Sequence, residues 1–184
     1  MSDLIQAGES RALIKRKLHT ETCSKFGYTV GELRGEAVQI APYHDADGRL
    51  VAQKVRTPDK KFLVFGDLKS ATLFGQRLWR PGKRLVITEG EIDALSYSQV
   101  TGLSWPVVSV PNGAAGAKKA IKANLEWIEQ FEQVVFLFDS DEPGQKAARE
   151  CAELITPGKA AVATLPVKRS EEHTSELQSR FGIS

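Results

Sequence analysis

Along the second half of the chain, short runs of consecutive apolar residues alternate with stretches whose apolar positions recur at helical spacing. The runs are residues 85–88 (LVIT), 107–110 (VVSV), 134–138 (VVFLF) and 160–165 (AAVATL). Between them lie Ile92, Leu95 and Val100, then Ile121, Leu125 and Ile128 on one long helix, then Ala148, Cys151, Ala152 and Ile155. Runs without polar alternation predict strands buried on both faces, and helices between them predict βαβ units in a parallel sheet. The first half has a different rhythm. A helical stretch from Ser10 carries Leu13, Ile14 and Leu18, and Thr20 is placed to cap a second helix bearing Cys23. Residues 38–43 and 50–56 then read as strands around an Asp47-Gly48 turn, a hairpin signal, with a further strand expected over 61–65. The expected fold class is α/β: a small α+β subdomain over residues 1–76, then a mainly parallel four-stranded sheet flanked by helices over 77–168.

Composition narrows the class only a little. The 184 residues are 41% hydrophobic and 26% charged, ordinary for a globular protein with a buried core. Two cysteines, Cys23 and Cys151, fall in separate predicted helices and form neither a disulfide framework nor a zinc-ligand spacing, which favours a reducing compartment. No apolar run approaches the roughly 20 residues that cross a bilayer, and no export signal opens the chain, so a cytoplasmic location without a membrane partner is expected. Residues 169–179 read RSEEHTSELQS, which resembles the translation of a sequencing adapter. Residues 169–184 are therefore expected to be an artefactual tail, with the natural product continuing differently.

The acidic residues change the picture, because they fall at strand ends. Residues 85–88 deliver Glu89-Gly90-Glu91-Ile92-Asp93, and residues 134–138 deliver Asp139-Ser140-Asp141-Glu142. Functional groups of open α/β sheets gather beyond the carboxyl ends of the strands. If the two strands are close, Glu89, Asp139 and Asp141 converge within a few ångströms. Ionised carboxylates so placed repel one another, and a hard divalent cation with oxygen ligands, such as Mg²⁺, removes that cost. The chemistry indicated is metal-assisted phosphoryl or nucleotidyl transfer, or phosphodiester hydrolysis. Alone, Asp-x-Asp most often caps a helix or sits in a solvated loop. Paired with Glu-Gly-Glu in a βαβ frame it is far more specific.

Charge is distributed unevenly. The net charge is only +2, yet residues 54–84 hold nine Lys or Arg against Asp59 and Asp67 alone, a local excess of +7. Lys54, Arg56, Lys60 and Lys69 belong to this stretch, which suits a polyanion. Phe74 and Trp79 interleave and are expected in the core rather than stacked on bases. The loop over 111–119 (PNGAAGAKK) opens a helix with small residues that let backbone N–H groups approach an anion, without Walker A spacing.

ITEGEIDALS (87–96) and FLFDSDEPGQKAA (136–148) resemble the Toprim signature of bacterial-type primases, topoisomerases and certain nucleases. VAQKVRTPDKKF (51–62), LFGQRLW (73–79) and VVSVPNGAAGAKKA (107–120) resemble, in the same order, the primase half of phage primase–helicase proteins. The likeness runs over roughly residues 9–168. It implies a primase RNA-polymerase core: an N-terminal subdomain followed by Toprim, making short RNA primers on a single-stranded DNA template from NTPs with Mg²⁺, expected as a pair. It further implies that Glu89, Asp139 and Asp141 are the metal ligands and that Asp93 is a further catalytic acid. Lys54 and Lys60 match family positions that contact nucleotide or template, with Arg56 and Lys69 expected beside them. The family's zinc ribbon, its helicase domain and a further Asp-Ala-Asn-Glu motif have no counterpart in this sequence, so zinc is expected only in an absent ribbon and the fragment itself is expected to lack one carboxylate. A Toprim nuclease or topoisomerase-like enzyme, or a non-catalytic single-stranded-DNA-binding module of a helicase, remain alternatives. For the topoisomerase, Tyr28, Tyr43 and Tyr97 lack a suitable context.

Overall fold

The computed structural model describes residues 3–164; the expected artefactual tail and the last position of the fourth apolar run lie outside them. Two four-stranded sheets carry the fold. The first is antiparallel, in the order β1 (Thr29–Leu33), β2 (Glu36–His44), β3 (Leu50–Arg56), β4 (Phe62–Gly66). The expected hairpin is β2–β3, its turn closed by Asp45 Oδ1, which accepts from the N–H groups of Asp47 and Arg49. β1 was not expected from the sequence. It joins β2 through Arg34 and Gly35, at φ 55° and 83°, the left-handed pair that a two-residue hairpin turn requires.

The second sheet has the order β6 (Val107–Ser109), β5 (Arg84–Thr88), β7 (Gln133–Leu137), β8 (Ala160–Val162), all parallel. Its helices are α2 (Glu91–Val100), α3 (Gly113–Ala123), α4 (Leu125–Ile128) and α5 (Glu142–Ala152). β5 lies between β6 and β7, and Leu85 to Thr88 are all buried, as expected for a central parallel strand. The chain thus pairs an α+β N-terminal unit with a parallel α/β sheet, as the apolar pattern implies.

Two helical expectations are corrected. The stretch from Ser10 is only a single 3-10 turn, Ile14–Arg16. Leu13 and Leu18 pair as an isolated antiparallel bridge around Lys17 at φ 51°, and Ile14 is 79% exposed. A nucleus this short does not propagate once a tighter apolar contact competes. The long helix through Ile121, Leu125 and Ile128 is divided into α3 and α4 at Asn124, whose φ of −115° is not helical and whose side chain donates to the Ala120 carbonyl. The next helix, α1 (Thr20–Phe26), begins at Thr20, with His19 at the cap position, within the usual latitude for helix ends.

One core serves both sheets. Phe26, Tyr43 and Ala41 from the N-terminal half pack with Val86, Leu95 and Val107 of the second. Phe74 sits in the middle. It stacks on Phe26 with centroids 5.6 Å apart, lies 5.6 Å from Tyr43, and pairs its backbone with Ser109 at the edge of β6. Trp79 packs partly buried against this core and against the separate core of the parallel half, its indole N–H donating to Val107 O at 2.8 Å. The expected core roles of Phe74 and Trp79 are what the packing shows. Cys23 and Cys151 are both free and buried.

Phe74→Ala is expected to cost about 3–5 kcal/mol in urea denaturation, because the cavity opens where both sheets meet; a loss below about 1 kcal/mol would show that the shared core does not hold them together. Burial pushes both thiols from 9.0 up to about 11. Raised acids contribute fully below their unfolded value, so this contribution to stability is complete below about pH 9 and fades as pH climbs toward 11. A thiol reagent at pH 8 should label the native chain slowly and the unfolded chain at both cysteines at once; rapid native labelling would contradict the burial.

Candidate functional site

β5 and β7 are neighbours, in register from Arg84↔Gln133 to Thr88↔Leu137. Glu89 and Asp139 therefore leave the same end of adjacent strands. Glu89 is held between the head of α3 and the loop that follows β7. Its Oε1 accepts from Ala114 N at 3.3 Å, at the start of α3, and its Oε2 accepts from Asp139 N at 3.4 Å. The small-residue loop thus offers the Ala114 N–H to a carboxylate of the chain itself. Asp141 caps α5, its Oδ1 accepting from Gly144 N at 2.9 Å, and Gln145 Nε2 donates to Asp139 O at 3.0 Å.

Gly144 shows how closely these groups approach. A Cβ there would stand 2.6 Å from Asp139 O, 2.9 Å from Asp141 Oδ1 and 3.1 Å from Glu89 Oε2. Two carboxylates and a carbonyl meet at one point that only glycine leaves open. Among the described residues, however, no three Asp, Glu, His or Cys side chains form a preassembled ligand group. The expected convergence is thus partial: Glu89 meets the backbone of Asp139 and approaches Asp141. Backbone N–H groups take the carboxylate oxygens and hold the like charges apart. Two hard oxygen donors beside an open cleft fit Mg²⁺, which typically uses one or two carboxylates and completes its shell with water and substrate phosphate. Asp93 lies in the first turn of α2, half-buried, one turn from Glu89.

The N-terminal sheet stands over these strand ends. Lys54 on β3 reaches across, its Nζ 2.9 Å from Glu91 Oε1 and 2.9 Å from the carbonyl of Pro111, just past β6. The Tyr43 hydroxyl donates to the same Glu91 oxygen at 2.5 Å. Burial, reinforced by the Glu91 charge, pushes the Tyr43 hydroxyl well above its ordinary value. Glu91 was not singled out from the sequence, although Glu-Gly-Glu displays it. It forms the joint between the two sheets.

The expected basic residues divide among three cavities. Lys54 and Arg56 line a cleft of about 190 Å³ with Arg16, Phe62, Glu89 and Glu91. Lys60 lines a groove of about 620 Å³ that shares Arg16 and Arg56 with the cleft and adds Arg11 and Lys15. Lys69 lies apart, with Lys119, around a cavity of about 200 Å³ beside Asn112. The nine cations of residues 54–84 therefore do not form one face. Arg84 begins β5, at the end away from Glu89, and donates to Gln133; Lys61 pairs with Asp59 at 2.6 Å. Arg11, Lys15 and Arg16 escaped notice because their stretch reads as an ordinary helix.

A parallel sheet with acidic groups at the ends of two adjacent strands, roofed by an antiparallel sheet bearing Lys54 and Arg56, defines a Toprim-type core behind an α+β unit. Residues 8–66 match the family model described as "Bacteriophage T7 DNA helicase/primase, N-terminal a+b fold", and residues 86–177 match the Toprim-like model. The DNA helicase/primase of Enterobacteria phage T3 is 44% identical over 165 residues, 90% of this chain and 29% of the relative. The crystal structure of the primase fragment of the bacteriophage T7 primase–helicase superposes with a TM-score of 0.91 at 42% identity, covering 98% of this chain and 77% of that one. The primase domains of T7, in a complex of its lagging-strand DNA polymerase with an RNA/DNA hybrid and dTTP, give 0.88 at 41% identity, covering 98% and 97%. The chain belongs to the primase part of the T7-like phage DNA helicase/primase family. It spans less than a third of the length of the T3 relative, and among the described residues no helix is long and apolar enough to cross a membrane.

Glu91→Ala strands Lys54 beside Pro111 and removes the acceptor of Tyr43, and removing one partner of a buried pair typically costs about 3–5 kcal/mol. Glu91→Gln keeps an acceptor for Tyr43 and should lose clearly less. Denaturation curves showing equal, small losses for both would deny the joint its structural role.

Proposed function

We propose that the chain is the nucleotidyl-transfer core of a DNA primase, making short RNA primers on single-stranded DNA from NTPs with Mg²⁺, within a longer protein that also carries a helicase. The observation that carries this reading is the meeting of Glu89, Asp141 and the Asp139 backbone at Gly144, with Glu89 also lining the cleft that holds Arg16, Lys54 and Arg56. Glu89, Asp139 and Asp141 are the metal-binding set and Asp93 a supporting acid. Mg²⁺ bound there, expected as a pair, would neutralise the incoming phosphates and activate the primer 3′-hydroxyl. Arg16, Arg56 and Lys60 bind phosphates where cleft and groove join, and Lys69 meets nucleic acid farther out. Lys54 spends two of its three N–H donors on Glu91 and Pro111, which leaves the third for a phosphate. The expected place of work is the cytoplasm of the bacterial host, in keeping with the phage relatives.

The tyrosines weigh against a topoisomerase-like reading. Tyr28 and Tyr43 are buried, their hydroxyls committed to Gln39 and Glu91, and burial raises both well above the ordinary value. Neither is placed to attack a phosphodiester.

The test uses a chain extended through the family's Asp-Ala-Asn-Glu motif, with a zinc ribbon supplied. Mg²⁺-dependent RNA synthesis on single-stranded DNA is expected, and Asp139→Ala or Asp141→Ala should lower it by roughly a hundredfold or more. Unchanged synthesis in Asp139→Ala would remove the metal assignment. Cleavage of labelled DNA without primer extension would instead favour the Toprim nuclease.

A further inference from the structure

The face of the N-terminal sheet that looks onto the carboxylates can be followed residue by residue. Cross-strand partners share a face, so Lys54 with Val64, and Arg56 with Phe62, point the same way, together with Ala41 and Gln39 of β2. Toward β2 this face is closed: Ala41 and Tyr43 are buried in the core shared with the second sheet. Toward the edge strand β4 it is open, with Phe62 54% and Val64 43% exposed. Phe62 lines the same cleft as Glu89 and Glu91. Lys54 Nζ lies 4.9 Å and the Arg56 guanidinium carbon 5.7 Å from its ring centroid. An aromatic ring more than half exposed, beside Arg16, Lys54, Arg56 and two carboxylates, offers a planar apolar surface in a mostly charged cleft.

Resting on the nucleotidyl-transfer reading above, we infer that Phe62 is the stacking platform for the base of the ribonucleoside triphosphate whose phosphates meet Arg16, Arg56 and the carboxylates around Gly144. The charges decide the occupant. Cations and acidic groups able to share a metal suit a polyphosphate, while the exposed ring suits the flat apolar face of a base on the same molecule. The cleft of about 190 Å³ is smaller than pockets that enclose drug-sized ligands, and matches one base rather than a length of duplex. Stacking is sequence-tolerant because every base has a π-face, as a site that accepts successive nucleotides under template control requires.

The experiment compares Mg²⁺–ATP with Mg²⁺–tripolyphosphate as ligands of the full chain, its Phe62→Ala variant and its Phe62→Trp variant. An exposed edge-strand position tolerates both changes, and unchanged thermal unfolding verifies it. Phe62→Ala should weaken ATP binding by roughly tenfold and leave tripolyphosphate binding as it was. Phe62→Trp should restore the affinity and add a fluorescence signal quenched by ATP and not by tripolyphosphate. Undiminished ATP binding in Phe62→Ala, an equal loss for both ligands, or a wild-type chain that binds ATP no better than tripolyphosphate would each overturn the platform. If the extended chain makes no primers while ATP binding still depends on Phe62, the polymerase reading falls and the platform stands.

Discussion

The arrangement of this molecule turns on one buried contact, the Lys54–Glu91 ion pair with Tyr43 as its third member. Lys54 belongs to the antiparallel sheet and Glu91 opens the first helix of the parallel one. Because the pair is largely removed from water, the two sheets have a single favourable way to meet there; any slip would leave a charge buried without its partner. Phe74 and its aromatic neighbours provide the apolar bulk of the interface, and the ion pair fixes where it sits. The cleft follows from that placement, since it is lined from both sides of the joint and includes the exposed ring of Phe62, whereas the groove that shares Arg16 and Arg56 with it is built by the N-terminal unit alone.

A second constraint comes from the parallel sheet. Pairing β5 directly with β7 carries two acidic loops to one end of the sheet, where the first turns of α3 and α5 and the backbone of Asp139 supply N–H donors. Backbone donors steady Glu89 and Asp141 before any ligand arrives, a form of preorganisation that helix N-termini supply readily. Gly144 keeps the meeting point open. Rigid acidic groups on one wall and long basic side chains on the other are what phosphate chemistry asks of a cleft.

The sequence made the parallel half legible because burial on both faces leaves an unmistakable pattern: 85–88 and 134–138 have no polar interruption, and both became adjacent strands. Glu89, Asp139 and Asp141 followed from those strand ends, and the Toprim and primase motifs gave the family. What escaped was decided by contacts between distant segments. β1 is short and mixed in burial, and only its turn at Arg34-Gly35 marks it. Asn124 interrupts a helix that periodicity alone joins. Ile14 reads as core until Leu13 and Leu18 find each other across Lys17. Glu91 was not singled out and proved to be the partner of Lys54 on the other sheet, a pairing that no linear spacing displays. The basic groove combines residues 11–16 with 56–60, which no linear charge count displays.

The proposed function puts a divalent cation where the heads of α3 and α5 meet the end of β5. Substituting Mn²⁺ for Mg²⁺ and recording amide NMR spectra tests it most directly, since paramagnetic broadening falls off steeply with distance. Selective loss of the Gly90, Ala114 and Gly144 signals is expected, abolished by Asp139→Ala together with Asp141→Ala, while Leu85 at the far end of β5 stays sharp. Broadening centred elsewhere, or none at millimolar Mn²⁺, would contradict it.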